Sequence, residues 1–128
     1  MCPPRVRRIL VIDDEPLIAR LIADTLVSEG YEVDTAANGR EGLEKIADHA
    51  YDLIMSDLRM PELDGLAFYR EVGRRRPDLA ARIVFVSGTT DLPEYTEFLQ
   101  QTSVPVLSKP FHVEMLLRFV KQCLQVLG

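Results

Sequence analysis

The sequence predicts an α/β protein, an open and doubly wound parallel sheet of five strands with helices on both faces. Three observations predict it. Short apolar runs alternate five times with stretches of helical periodicity. The joints between them are short, which favours strand–helix–strand crossovers. The run Leu53-Ile54-Met55 has no polar alternation, so both of its faces are covered, as in a buried parallel sheet. Right-handed crossovers then leave few topologies, and the five-strand order 2-1-3-4-5 fits 128 residues.

Each element follows from local chemistry. Residues 1–7 read as a short arm ahead of one domain over 8–128. Pro3 and Pro4 cannot donate to a ladder, and Arg5, Arg7 and Arg8 keep the segment solvated. The first strand runs from about Arg8 to Ile12. Pro16 suits the first turn of a helix, with Glu15 near the positive end of its dipole. Leu17, Ile18, Leu21, Ile22, Thr25 and Leu26 recur at helical spacing, and Gly30 is a helix-ending residue. The second strand, Tyr31 to Ala36, alternates apolar and polar residues as an edge strand does. Asn38-Gly39 reads as a turn. Leu43, Ile46 and Ala47 stripe the second helix, which ends near His49.

The third strand is Leu53 to Ser56. A loop runs from Asp57 through Met60-Pro61 to Asp64-Gly65, with Gly65 permitting a turn. The third helix spans about Leu66 to Arg75, with Arg74, Arg75 and Arg76 at its negative end and Pro77 as a stop. The fourth strand is Arg82 to Val86, followed by the connection Gly88-Thr89-Thr90-Asp91. Pro93 opens a short fourth helix to about Gln101. The fifth strand is Val104 to Ser108, and the fifth helix runs from about Val113 to Leu127.

Composition narrows the function. A hydrophobic content of 47% and a charged content of 27% are ordinary for a globular domain. The net charge of −5 argues against nucleic acid as a direct partner. No apolar run approaches the roughly 20 residues of a membrane span. The N-terminus lacks the apolar core of a signal peptide, so a cytoplasmic protein is expected. Cys2 and Cys123 lack metal-ligand spacing and read as free thiols, with Cys123 packed in a helix.

Four apolar runs stop abruptly at polar residues. They deliver Asp13 and Asp14, Asp57, Ser87 and Lys109 to one sheet edge. In an open parallel sheet, sites form beyond the carboxyl ends of the strands. Each residue alone has an ordinary explanation, such as a helix cap, a turn or a solvated lysine. Together they resist it. Three carboxylates about 4 Å apart repel by roughly 4 kcal/mol per pair at an effective dielectric near 20. Such a cluster needs positive charge within it. Lys109 supplies one charge, and a hard divalent cation supplies the rest. Oxygen-only ligands with room for water suit Mg²⁺. A carboxylate can also attack phosphorus and form an aspartyl phosphate. Lys109 and the metal would neutralise phosphoryl oxygens, and Ser87 would donate a hydrogen bond to one. No spare general base is evident, which fits a product that persists.

Asp13-Asp14, Asp57, Ser87 and Lys109-Pro110-Phe111, each after its own strand, resemble the receiver domain of two-component response regulators. The resemblance covers about Arg8 to Leu127 and implies a flavodoxin-like (βα)₅ fold. It implies that Asp57 accepts a phosphoryl group from a phosphohistidine on a histidine kinase or histidine phosphotransfer protein. It implies Mg²⁺ bound by Asp14 and Asp57, by the backbone carbonyl of Arg59 and, through water, by Asp13. Ser87 and Lys109 would hold the phosphoryl group and couple it to the face of helix four, strand five and helix five. That face would be read by a downstream protein or an attached output domain, or would form a homodimer. The Lys109-Pro110 bond would be cis. The domain would be a switch and not an enzyme, with only self-phosphorylation and slow autodephosphorylation.

Two features depart from the family pattern. Val106 stands three residues before Lys109, where the family often has an aromatic that swings inward on activation. The readout must then lie in backbone shifts or another residue. The short fourth helix and tight return to Pro105 resemble receivers attached to hybrid sensor histidine kinases. Arg59 and Thr89, two residues after Asp57 and Ser87, flank the pocket and would tune phosphate lifetime. His49 reads as a helix-end cation and His112 as a residue at a helix N-terminus, neither a phosphoryl donor in this chain. A haloacid-dehalogenase-like phosphatase also uses aspartyl phosphate and Mg²⁺, but needs Asp-x-Asp where this chain has Asp13-Asp14-Glu15. A flavin-binding module of the same topology needs a glycine- and hydroxyl-rich first loop, and this chain has acids and Pro16 there. An interaction module without phosphorylation leaves the acid–Ser–Lys set unexplained.

Overall fold

The computed structural model describes residues 6–88 and 93–127. Most of the expected arm, with Cys2, and the segment 89–92, with Thr89, lie outside the described residues. Five strands form one parallel sheet in the order β2-β1-β3-β4-β5, as the sequence predicts. The strands are β1 (Arg8–Ile12), β2 (Glu32–Ala36), β3 (Leu53–Ser56), β4 (Ile83–Ser87) and β5 (Val106–Ser108). The helices are α1 (Pro16–Ser28), α2 (Gly39–Asp48), α3 (Gly65–Arg75), α4 (Pro77–Ala80), α5 (Pro93–Thr102) and α6 (Val113–Leu127).

The alternation of side chains across a strand divides the core in two. Leu10, Ile12, Ile54, Ile83 and Phe85 point to one face, where Ile46, Phe68, Val72, Leu79 and Phe98 from α2 to α5 cover them. Ile9, Val11, Leu53, Met55, Val84 and Val86 point to the other, covered by Ile22 and Leu26 of α1 and by Leu116, Val120 and Leu124 of α6. The central strands β1, β3 and β4 are therefore buried from Ile9, Leu53 and Ile83 onward, while β2 at the edge is only partly covered.

Several local expectations are revised. The one-turn helix α4 follows α3 directly, because Pro77 is preorganised for a first helical turn and Leu79 is buried beneath it. Asn38 is not part of a free turn. It caps α2 by accepting from the Glu41 N–H at 2.9 Å, while the Glu41 carboxylate accepts from the Ala37 N–H at 3.1 Å. Asp64 likewise caps α3 by accepting from the Ala67 N–H. β5 is shorter than expected, although the Pro105 carbonyl still accepts from the Phe85 N–H. Arg7 and Arg8 are not merely solvated. Arg7 pairs with Asp52 at 3.9 Å, and Arg8 pairs with Asp34 at 3.1 Å. Gly30, at φ 95°, follows the end of α1 in the left-handed conformation expected of it. Cys123 is a buried free thiol in α6. His49 ends α2, its N–H donating to the Lys45 carbonyl, and stacks edge-on against Tyr51.

Candidate functional site

The ladders of the sheet run one residue past the strand ends and thereby fix the site. The Asp13 N–H donates to the Ala36 carbonyl at 3.0 Å and the Asp57 N–H to the Ile12 carbonyl at 2.9 Å. The Lys109 N–H donates to the Ser87 carbonyl at 3.0 Å. Three site residues thus hang on strand positions that the buried core already determines. Their side chains converge. Lys109 Nζ lies 2.7 Å from Asp13 Oδ2 and 3.0 Å from Asp57 Oδ2. The remaining Asp13 oxygen accepts from the Glu15 N–H at 2.9 Å, and Asp57 Oδ1 faces the Arg59 N–H at 3.4 Å.

Asp13 and Asp57 are buried, whereas Asp14 is exposed at the mouth. Carboxylate oxygens of Asp13, Asp14 and Asp57 all lie within 4.8 Å of one another. Burial works against the Lys109 ammonium, but hydrogen bonds to Asp13 and Asp57 outweigh it and raise its pKa above 10.5. Burial pushes the Asp13 carboxyl up, more strongly than the Lys109 hydrogen bond pulls it down. This donor set fits a hard cation. It is all oxygen, doubly or triply anionic, and opens on a cleft of about 650 Å³ with room for water. The ammonium alone leaves the cluster net negative.

Asp14, Asp57, Arg59 and Lys109 line this cleft, as the sequence suggests. Glu15, Met60, Pro61 and Gly88 complete the lining. Ser87 ends β4, the strand tip the sequence predicts for it, and is buried at 1% exposure, with Gly88 next to it on the cleft wall. The sequence assigns Glu15 only to the helix dipole, yet its carboxylate reaches within 3.8 Å of Lys109 Nζ. The signal was available, since a glutamate before Pro16 is a poor helix cap. The sequence assigns Gly65 to a turn. A Cβ there would meet the Asp57 carbonyl oxygen at 2.2 Å, so α3 starts against the backbone of Asp57 itself. The Lys109-Pro110 peptide bond is cis, as the resemblance implies.

Val106 is half-buried beside Phe85, its register partner, in the core layer that also holds Tyr95 and Phe98. Tyr69, Phe85 and Phe98 pack edge-on or tilted in the same layer, with centroids 5.1–6.2 Å apart. No helix among the described residues is long and apolar enough to cross a membrane.

Comparison with known proteins agrees with this geometry. The response regulator receiver domain model matches residues 9–121. The transcriptional regulatory protein GlrR of Escherichia coli strain K12 is 33% identical over 117 residues, which cover 91% of this chain and 26% of GlrR. The response regulator ArlR of Staphylococcus aureus is 32% identical over 118 residues, covering 92% of this chain and 52% of ArlR. The chain therefore spans about a quarter to a half of the curated relatives it matches. Among solved structures, a CheY-like receiver domain protein from Methanospirillum hungatei superposes with a TM-score of 0.86 at 28% identity, covering 96% of this chain and 97% of that one. Chemotaxis protein CheY4 of Vibrio cholerae gives a TM-score of 0.83 at 32% identity, covering 93% and 99%. None of these similarities supports a haloacid-dehalogenase. Strand order, the convergent acids with their lysine, and the match over residues 9–121 together place this chain in the receiver domain family of response regulators, the phosphoacceptor modules of two-component signalling.

Proposed function

We propose that Asp57 is the phosphoacceptor of this receiver domain and that Asp13, Asp14, Lys109 and Ser87 serve the transfer. One observation carries the assignment: Lys109 bridges the carboxylates of Asp13 and Asp57 from three different strand ends. An Asp57 carboxylate oxygen attacks the phosphorus of a phosphohistidine. The P–N bond breaks and its electron pair stays on the donor imidazole. The Lys109 ammonium turns from carboxylate to phosphoryl oxygen as negative charge moves onto the transferred group. Asp14 and Asp57, with the Arg59 carbonyl and Asp13 through water, would hold Mg²⁺. When bound, Mg²⁺ supplies charge neutralisation and a template for in-line transfer. Ser87, at the end of the strand beside Lys109, is assigned the hydrogen bond to a phosphoryl oxygen.

The chain acts as a switch with self-phosphorylation and slow autodephosphorylation, and not as a turnover enzyme. Its upstream partner is a histidine kinase or histidine phosphotransfer protein. Its output is read on the face of α5, β5 and α6 by a downstream protein, an attached output domain or a second copy. Val106 supports a readout by backbone shift, since no aromatic ring stands there to rotate. A cytoplasmic location accords with these partners.

Incubation with Mg²⁺ and acetyl phosphate should label one aspartate, Asp57. Labelling should vanish in Asp57→Ala and on chelation of the metal, and beryllofluoride should bind only with Mg²⁺ present. Peptide mapping by mass spectrometry reads the site. Label elsewhere, or label that survives in Asp57→Ala, overturns the assignment.

A further inference from the structure

Glu15 occupies the N-cap of α1, yet its side chain makes no capping hydrogen bond. Ser, Thr, Asp and Asn are the residues that cap well, so helix stability does not account for a glutamate here. Its backbone N–H is spent on Asp13. Its carboxylate instead lines the cleft, 63% exposed, with Oε1 3.8 Å from Lys109 Nζ. The oxygens that converge closely enough to share one ion come from Asp13, Asp14 and Asp57. Glu15 therefore meets the lysine and not the cation position.

Lys109 and a divalent cation compete for the same carboxylate. The ammonium now sits 3.0 Å from Asp57 Oδ2, where a cation on Asp57 would repel it. Asp13 lies on the buried side and has its second oxygen engaged. Glu15 offers a carboxylate on the open side. From this geometry we infer that Glu15 is a positioning residue for Lys109, drawing the ammonium off Asp57 as a divalent cation arrives and so tightening cation binding. The inference rests on the proposed Mg²⁺ site. Solvent screens so exposed a carboxylate, so its effect on affinity is about two- to fivefold.

Calorimetric titration of the full chain with MgCl₂ tests it, using Glu15→Gln and Glu15→Ser, alone and combined with Lys109→Met. Each single Glu15 variant should bind Mg²⁺ about two- to fivefold more weakly. Glu15→Ser should unfold at an equal or higher temperature, because serine caps α1 better. In the Lys109→Met background, Glu15→Gln should leave Mg²⁺ affinity unchanged. Unchanged affinity in the single variants would overturn the inference. So would an equal loss in both backgrounds, which marks simple attraction through solvent, or a loss in Glu15→Ser that tracks a fall in unfolding temperature. Asp57→Asn serves as the separate check. If it binds Mg²⁺ as tightly as the parent, the metal site itself is wrong, whatever Glu15 does.

Discussion

Gly65 and Gly73 lie eight residues apart in α3 and carry opposite consequences for an added methyl group. A Cβ at Gly65 would stand 2.2 Å from the Asp57 carbonyl oxygen and 2.9 Å from Leu58 Cα, both rigid backbone. Gly65→Ala should therefore destabilise the protein by about 1–3 kcal/mol, as overpacking does, and slow labelling of Asp57. At Gly73 the nearest contact is Ala80 Cβ at 3.9 Å, ordinary van der Waals distance. Gly73→Ala should stabilise α3 by about 0.5–1 kcal/mol through lower backbone entropy in the unfolded chain. Urea denaturation of both variants measures the two signs. Equal shifts in one direction would contradict the packing described here.

Elements are tied together at the sheet end opposite the cleft. Asp34 of β2 accepts from the Tyr51 hydroxyl at 2.7 Å and from Arg8 of β1 at 3.2 Å, and the Arg8 guanidinium lies 5.8 Å from the Tyr51 ring centroid. The Arg8 N–H donates to Asp52 just before β3. Burial pushes the Asp34 carboxyl up, but the Tyr51 hydroxyl and Arg8 more than offset it and hold it below its ordinary 3.8. A carboxyl whose folded pKa is depressed stabilises the fold above its unfolded pKa. That contribution fades as pH falls through the folded value. Stability should thus drop below about pH 4, and Asp34→Asn should flatten that part of the acid limb. Unfolding midpoints across the acid range decide it, and an unaltered slope in the variant would remove Asp34 from the account. Burial and the Asp34 hydrogen bond also push the Tyr51 hydroxyl well above 10, so it stays a donor throughout the neutral range.

At the scale of the whole molecule, two apolar layers share one sheet and leave the acids at its carboxyl edge. The unfolded chain cannot gather those acids, so a bound cation stabilises the folded state alone. Mg²⁺ at a hundredfold excess over its Kd should add about 2.7 kcal/mol. Thermal unfolding with Mg²⁺ and with a chelator measures the gain, which should disappear in Asp57→Asn. A gain of the same size in that variant would place the ion elsewhere.

Much of this is legible in the sequence. The runs at β1, β3 and β4 are short, apolar and stopped by polar residues, and buried parallel strands have no other signature. Chain length, right-handed crossovers and the resemblance to receiver domains then gave the strand order, and with it the placement of Asp13, Asp57 and Lys109 at neighbouring strand ends. One-turn α4 escaped notice because four residues are too few to show a helical period. The Asp34–Tyr51–Arg8 cluster escaped because its members are 17 and 26 residues apart. The sequence by itself determined which residues end which strands, since burial of apolar runs is a local pattern. Only the tertiary structure decided that Lys109 bridges acids 96 and 52 residues away and that Glu15 reaches toward the same ammonium. The physical reason is that side-chain direction at a strand end depends on how neighbouring strands twist and register, which no single run of residues specifies.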